Sequence, residues 1–214
     1  PAKVVMHLTV TSAGLKSALE ENLPQTGEGT FPLLGSERKF TWKRSPATLR
    51  FNQGRISLEL HVDAVADMPV STLDIGLDFK ILAEPVLNSE YVAKLQSLDV
   101  TVSSNDRVVK MADAVAGVLG KMKTEIQGKL EAFSYDLRPM IAAAHERVAR
   151  PIDLPLGDAH GCAMLKVLGV EAGPTVLADG FEKDLALIIA PSITIPCAEA
   201  EISTTLPPLA NVAT

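Results

Sequence analysis

Ile56-Ser57-Leu58-Glu59-Leu60-His61-Val62-Asp63-Ala64 alternates strictly between apolar and polar side chains. Successive side chains of an extended strand point to opposite faces. Ile56, Leu58, Leu60, Val62 and Ala64 therefore share a dry face, while Ser57, Glu59, His61 and Asp63 share a wet one. Beyond Met68-Pro69 the pattern returns, with Leu73, Ile75, Leu77, Phe79 and Ile81 set against Asp74, Gly76, Asp78 and Lys80. Two such strands in succession indicate an antiparallel sheet covered on one face only.

Weaker strand signals surround this pair. Val4, Met6, Leu8 and Val10 alternate with Val5, His7 and Thr9, and Thr11 or Ser12 is placed to cap a short helix that runs to about Asn22. Pro24 to Gly35 holds three glycines and two prolines and reads as loop. Lys39–Trp42 and Thr48–Phe51 read as strands, with a hairpin turn at Asn52-Gln53-Gly54, and a further strand covers Leu95 to Val102. Near the C-terminus, Ile152–Leu156, Cys162–Leu168 and Asp184–Ile195 are strand-like, and Gly169 to Gly180 reads as a connection. Pro191 demotes its strand to an edge or marks a bulge.

Between these β segments the period changes. Apart from the adjacent pair Val118-Leu119, the apolar positions Val108, Met111, Val115, Val118, Leu119, Met122, Ile126, Leu130, Phe133, Leu137 and Ile141 recur at spacings of three and four. That spacing predicts one amphipathic helix from about Asn105 to Ala149, kinked near Pro139. At about 1.5 Å per residue a run of roughly 40 residues reaches about 60 Å, and it needs a long apolar surface to cover it. The two alternating strands reach about 33 Å each, and a twisted sheet of such strands curls around a helix. The expected class is α+β, a strongly curved antiparallel sheet or barrel wrapped around one long helix, with a short N-terminal helix. No βαβ alternation is present.

Composition bounds the function. The chain has 214 residues and a net charge of −6, from 20 basic and 26 acidic residues, which argues against a nucleic-acid partner. Hydrophobic residues make up 47% and aromatics only 4%, so the core is aliphatic. No apolar run is long enough to span a membrane. A start at Pro1, inside the opening strand, is expected to follow removal of a leader that this chain does not contain. Residues 1–203 read as one domain, and 204–214, with Pro207-Pro208, as a tail or linker.

Several segments resemble the tubular lipid-binding (TULIP) superfamily, which includes bactericidal/permeability-increasing protein and the SMP domains, and more narrowly an uncharacterised bacterial family within it. They are Val4–Val10 with Leu15–Leu23, the Trp42-Lys43-Arg44-Ser45-Pro46 run, and Ala149-Arg150-Pro151-Ile152-Asp153-Leu154 continuing through Val167-Leu168-Gly169-Val170 to the last strand. The resemblance implies a barrel around the long helix and a groove for a phospholipid, fatty acid or sterol. It implies a lipid-binding or lipid-shuttling protein of the bacterial periplasm or outer membrane, with no enzymatic step and no cofactor. The lining residues are then Leu58, Leu60, Val62, Leu73, Ile75, Leu77, Phe79 and Ile81 of the strands. From the helix stripe come Val115, Val118, Leu119, Met122, Ile126, Leu130 and Phe133. Besides the lipid, a transient membrane surface, an envelope protein and a second copy of the chain are the partners it admits. A helix that simply fills the tube, giving a structural envelope module, is the alternative.

Other constellations carry less. Asp158, His160 and Cys162 are spaced by two, which suits zinc or a nucleophile and base on an extended chain, but Gly157 and Gly161 suggest a turn. Cys162 and Cys197 fit either one disulfide or two free thiols. His7, His61 and His145 read as solvated, and Trp42 as a core or membrane-interface residue. Gly27-Glu28-Gly29 lacks the strand-to-helix context of a phosphate loop.

Overall fold

A computed structural model describes residues 1–52, 54–104, 112–157, 159–197 and 205–211. The class is α+β and mostly strand, built from two sheets and, among the described residues, three helices.

The alternating pair forms the floor of the larger sheet. β5 (Arg55–Asp67) and β6 (Thr72–Leu87) pair antiparallel, with Leu58 opposite Ile81, Leu60 opposite Phe79, Val62 opposite Leu77 and Ala64 opposite Ile75. All eight are buried on one face. To one side lie β3 (Ser36–Arg44) and β2 (Thr26–Leu33); to the other lie β7 (Val92–Ser104) and the short β8 (Ser134–Asp136), while β4 (Thr48–Asn52) also pairs with β5. The helix α2 (Ala112–Glu131) packs chiefly against β2 and β7. One helix meets strands from opposite sides of the sheet, so the sheet is curled into a half-barrel with α2 across its open side.

β2 occupies the stretch expected to be loop. Its glycines are the reason. Gly27 pairs with Trp42 and Gly29 with Phe40 across the strands. A Cβ at Gly27 would lie 2.6 Å from the indole ring, and one at Gly29 would lie 2.7 Å from the phenyl ring. Each large ring lies over a strand residue that has no side chain, so glycines that usually weaken a strand here admit the two aromatics.

The single long helix is also corrected. Residues 105–111, including the expected positions Val108 and Met111, lie outside the described residues. The helix that begins at Ala112 stops at Glu131, and the chain then pairs as β8 with Val92–Lys94 before α3 (Arg138–Ala149) begins. Pro139 sits in the first turn of α3, where its missing N–H costs nothing. The Asp136 carboxylate accepts from the Arg138 backbone N–H at 2.9 Å and from its guanidinium at 2.6 Å. Spacing alone hid the break, because Phe133, Leu137 and Ile141 keep a four-residue interval while serving two different cores. Phe133 belongs to the half-barrel core; Leu137 and Ile141 belong to the second.

That second core lies on the smaller sheet, ordered β1 (Ala2–Thr11), β11 (Gly180–Thr194), β10 (Ala159–Leu177) and β12 (Leu209–Asn211), with β9 (Ile152–Leu156) also on β10. The expected connection over Gly169–Gly180 is mostly strand, since β10 continues to Leu177 through register shifts at Val167/Gly169 and Ala172/Thr175. Pro191 opposes Leu165 beyond the last β1 partner, Ile189, so the strand is a local edge there and no ladder bond is lost. Within the segment expected as a tail, Leu209–Asn211 runs parallel to Val170–Ala172, and Leu209 is buried. Tyr91 Oη donates to the Pro207 carbonyl at 2.6 Å, and burial pushes its pKa up to about 12. The short helix α1 (Ser12–Asn22) is capped as expected, with Gly14 N–H donating to Thr11 Oγ1 at 3.2 Å.

Candidate functional site

The predicted lining residues converge. Leu58, Leu60, Val62, Ile75, Leu77, Phe79 and Ile81 of the floor meet Val118, Met122, Ile126, Leu130 and Phe133 of the helix side in one buried cluster, with Leu73, Val115 and Leu119 packed half-buried at its margin. The stripe of α2 faces the concave sheet because its apolar side chains recur every three or four residues, and the β5–β6 pair supplies the matching dry face. The lining is aliphatic apart from Phe79 and Phe133, with Trp42, Phe31 and Phe40 on the β2–β3 wall.

Where α2 meets the β3 wall, little space is left. The pocket walled by Leu23, Pro24, Trp42, Arg44, Leu60, Glu125, Ile126 and Lys129 has a volume of about 10 Å³. That is room for about one water and not for an acyl chain. The larger space lies outside it, at the seam between helix and sheet. An open groove of about 700 Å³ runs between Gly29, Thr30 and Phe40 on the sheet and Ala116, Gly117, Gly120, Lys121 and Thr124 on α2. At this seam small residues bring the helix close to β2, and a Cβ on Gly117 would lie 3.2 Å from the Phe31 ring. Among the described residues no backbone hydrogen bond joins α2 to a strand. Among the described residues the seam is packed side chain against side chain.

One polar node stiffens the wall near α1. The Arg44 side chain, 3% exposed, pairs with Glu20 Oε2 at 2.8 Å and donates to the carbonyls of Leu23, Pro24 and Ser45. Glu20 Oε1 in turn accepts from the Ala47 backbone N–H. The charge is buried with its donors satisfied, as burial of a guanidinium requires. Trp42 is a buried core residue here, with no hydrogen-bond partner for Nε1 among the described residues.

The other candidates resolve differently. Cys162 and Cys197 are joined in a disulfide with Cα atoms 4.9 Å apart, so Cys162 has no thiolate to offer as nucleophile or metal ligand. Asp153 approaches the bridge, with Cys162 Sγ 3.8 Å from its Oδ1. Asp158 lies outside the described residues and His160 is exposed. His145 is a correction, being 3% exposed on the inner side of α3. A histidine followed by Glu146 and Arg147 looks solvated in sequence, but on a helix its neighbours along the core face are Ile141 and Val148. His7 and His61 keep their outward positions, each between two carboxylates. His61 Nδ1 lies 2.6 Å from Asp78 Oδ1 and its Nε2 lies 3.2 Å from Asp63 Oδ1. The hydrogen bond to Asp78, with Asp63 adding, raises the His61 pKa above its ordinary value. His7 is raised in the same direction, chiefly by Asp184 at 2.6 Å.

No family model and no curated protein matches this sequence. Among solved structures, the crystal structure of lipopolysaccharide binding protein superposes with a TM-score of 0.40 at 11% identity. The alignment covers 91% of this chain and 51% of that one. This chain thus spans about half the length of that protein.

The small residues at the α2–β2 seam were absent from the sequence expectation. The cluster Ala116-Gly117 with Gly120 is visible in the sequence, but its partner strand β2 carries the glycines and proline of a loop. Among the described residues, no helix is long and apolar enough to cross a membrane.

Proposed function

We propose that this chain is a TULIP-like lipid-binding domain that takes an elongated apolar ligand between α2 and the concave face of the half-barrel. The observation that carries the reading is the closure of a curled apolar sheet by one helix that, among the described residues, makes no backbone hydrogen bond to either side. Moving α2 outward breaks no backbone ladder among the described residues, and the face it uncovers is the apolar cluster of Leu58, Leu60, Phe79 and Ile81. An acyl chain entering there replaces the helix's contacts with its own, gaining about 0.8 kcal/mol per buried CH₂. A chain of roughly fifteen methylenes therefore offers about 12 kcal/mol against the cost of parting the seam. No polar constellation is required, and no bond is made or broken.

The ligand class is phospholipid, fatty acid or sterol, and the role is carriage across an aqueous compartment. The Cys162–Cys197 disulfide supports an oxidising one such as the periplasm. A lipopolysaccharide-binding protein among the solved structures that superpose is in keeping with this reading.

The close packing of the described α2 stripe and β-strand residues in one buried cluster favours a second reading, a ligand-free structural module of the cell envelope. Native mass spectrometry of gently purified protein separates the two. A bound species of lipid mass, together with saturable uptake of a fluorescent fatty acid, is the outcome expected for carriage. A clean apo mass with no uptake removes it and leaves the structural module.

A further inference from the structure

Two hairpin tips at one end of the half-barrel present aliphatic side chains to solvent. Leu33 pairs with Ser36, so β2 and β3 are joined by the two-residue turn Leu34-Gly35. Leu34 is 88% exposed with φ +50°, and Gly35 follows at φ +77°. Positive φ at both central residues makes a type I′ turn, which favours Asn or Gly in the first position and disfavours a bulky side chain. The turn Pro69-Val70 joins β5 to β6, closed by Met68 N–H donating to the Ser71 carbonyl, and Val70 is 97% exposed. β3 and β5 pair antiparallel as far as Phe40 opposite Ala66, and both strands run on past that pair toward the same end of the sheet, where the two tips lie. At the other end of this sheet the described turn residues are polar or glycine, Asn52 and Gly54 beside the β4–β5 pairing and Asn88-Ser89-Glu90 after β6. Neither folding nor turn chemistry asks for Leu34 or Val70.

We propose that these tips are the membrane-docking end of the domain, Leu34 and Val70 inserting into the acyl boundary of a bilayer. The proposal rests on the lipid-binding reading above and adds the surface from which the lipid is exchanged. A bilayer is favoured over a protein partner by size. Two prongs on separate hairpins offer a small part of the roughly 800 Å² per partner that a stable protein interface buries, whereas insertion into acyl chains has no such threshold. The position agrees, because the groove runs beside the strand that carries one of the tips. Gly29 and Thr30 lie only a few residues from Leu34 along β2, and the early turns of α2 reach the same stretch, Gly117 lying against Phe31. A lipid leaving a bilayer under these tips meets the groove directly. The charges behind the tips are mixed, Arg38 and Lys39 against Glu37, Asp67 and Asp74. Docking is therefore apolar and does not need anionic lipid.

Both native cysteines are held in the disulfide, so a single added thiol can be labelled cleanly. An environment-sensitive dye on Ser71→Cys is expected to brighten and shift to the blue with phosphatidylcholine vesicles, while the same dye on Glu90→Cys at the far end is not. Leu34→Asn and Val70→Ser are each expected to lower vesicle partitioning roughly tenfold. Leu34→Asn should at the same time leave the fold equally or more stable, since Asn-Gly suits the turn; a structural role for Leu34 predicts the opposite. Equal dye responses at both ends overturn the proposal, as does no response at either. So does binding that needs anionic phospholipid and disappears at high salt. Its failure is distinct from failure of the lipid-binding reading: a silent tip on protein that carries lipid by native mass spectrometry refutes only the docking end, and a responsive tip on apo protein refutes only the carriage.

Discussion

Gly27→Ala is expected to destabilise this protein, although glycine in a strand ordinarily weakens it. A Cβ at position 27 would lie 2.6 Å from two atoms of the Trp42 ring, where ordinary contact is 3.4–4 Å. The ring must retreat by about 1 Å into a core that holds it 4% exposed, and such overpacking costs about 1–3 kcal/mol. Reduced freedom of the unfolded chain returns about 0.4–1 kcal/mol, which leaves a net loss of about 1–2 kcal/mol. Gly120→Ala in α2 is the control, because a Cβ there meets nothing within 4 Å. Relief of a helical glycine should stabilise by up to about 1 kcal/mol. Urea denaturation reads both signs. Trp42 is the only tryptophan, so its emission reports the displaced ring in Gly27→Ala and stays unchanged in Gly120→Ala. A Gly27→Ala protein as stable as the parent, with an unaltered Trp42 spectrum, would refute the placement of β2 against β3.

Three further outcomes follow from the polar and covalent features. Glu20→Gln should cost about 2–3 kcal/mol, because it leaves the Arg44 guanidinium buried without its counter-charge; chemical denaturation measures it, and a loss below a few tenths would deny the node its role. His61 and His7 should titrate above about pH 6.5 by NMR, with Asp78→Asn bringing His61 back down. A histidine whose pKa is raised by folding adds stability that is fully present below about pH 6.5 and is lost as pH rises through the folded midpoint, so parent and Asp78→Asn should differ most in acid. Replacing Cys162 and Cys197 by Ser opens a bridge spanning 35 residues and should lower stability by about 3–4 kcal/mol, read by thermal or urea unfolding.

The half-barrel floor was legible because each face of β5 and β6 carries one kind of side chain, so periodicity and burial agree residue by residue. The helix was half legible. Its stripe was correct, but Phe133, Leu137 and Ile141 keep one spacing across a change of core, and spacing does not say which surface a side chain meets. β2 was unreadable for a different reason. The value of Gly27 and Gly29 lies in the rings of Trp42 and Phe40, which are distant in sequence and adjacent only once the strands pair. Arg44 with Glu20 and the two tips at Leu34 and Val70 are likewise products of register. The strand and helix positions named from periodicity pack into one cluster, since a dry strand face and an apolar helical stripe cover each other. What fills the space between them is a matter of side-chain volume, which a pattern of apolar positions does not encode.

Quenching of Trp42 by a brominated fatty acid or phospholipid tests the central claim most directly. Trp42 lies on the wall between Leu60 and Ile126, inside the surface that α2 covers. A ligand held between helix and sheet should quench it saturably, with non-brominated lipid competing the quenching away. Lipid that binds without quenching Trp42, or fails to bind at all, would contradict carriage in the half-barrel.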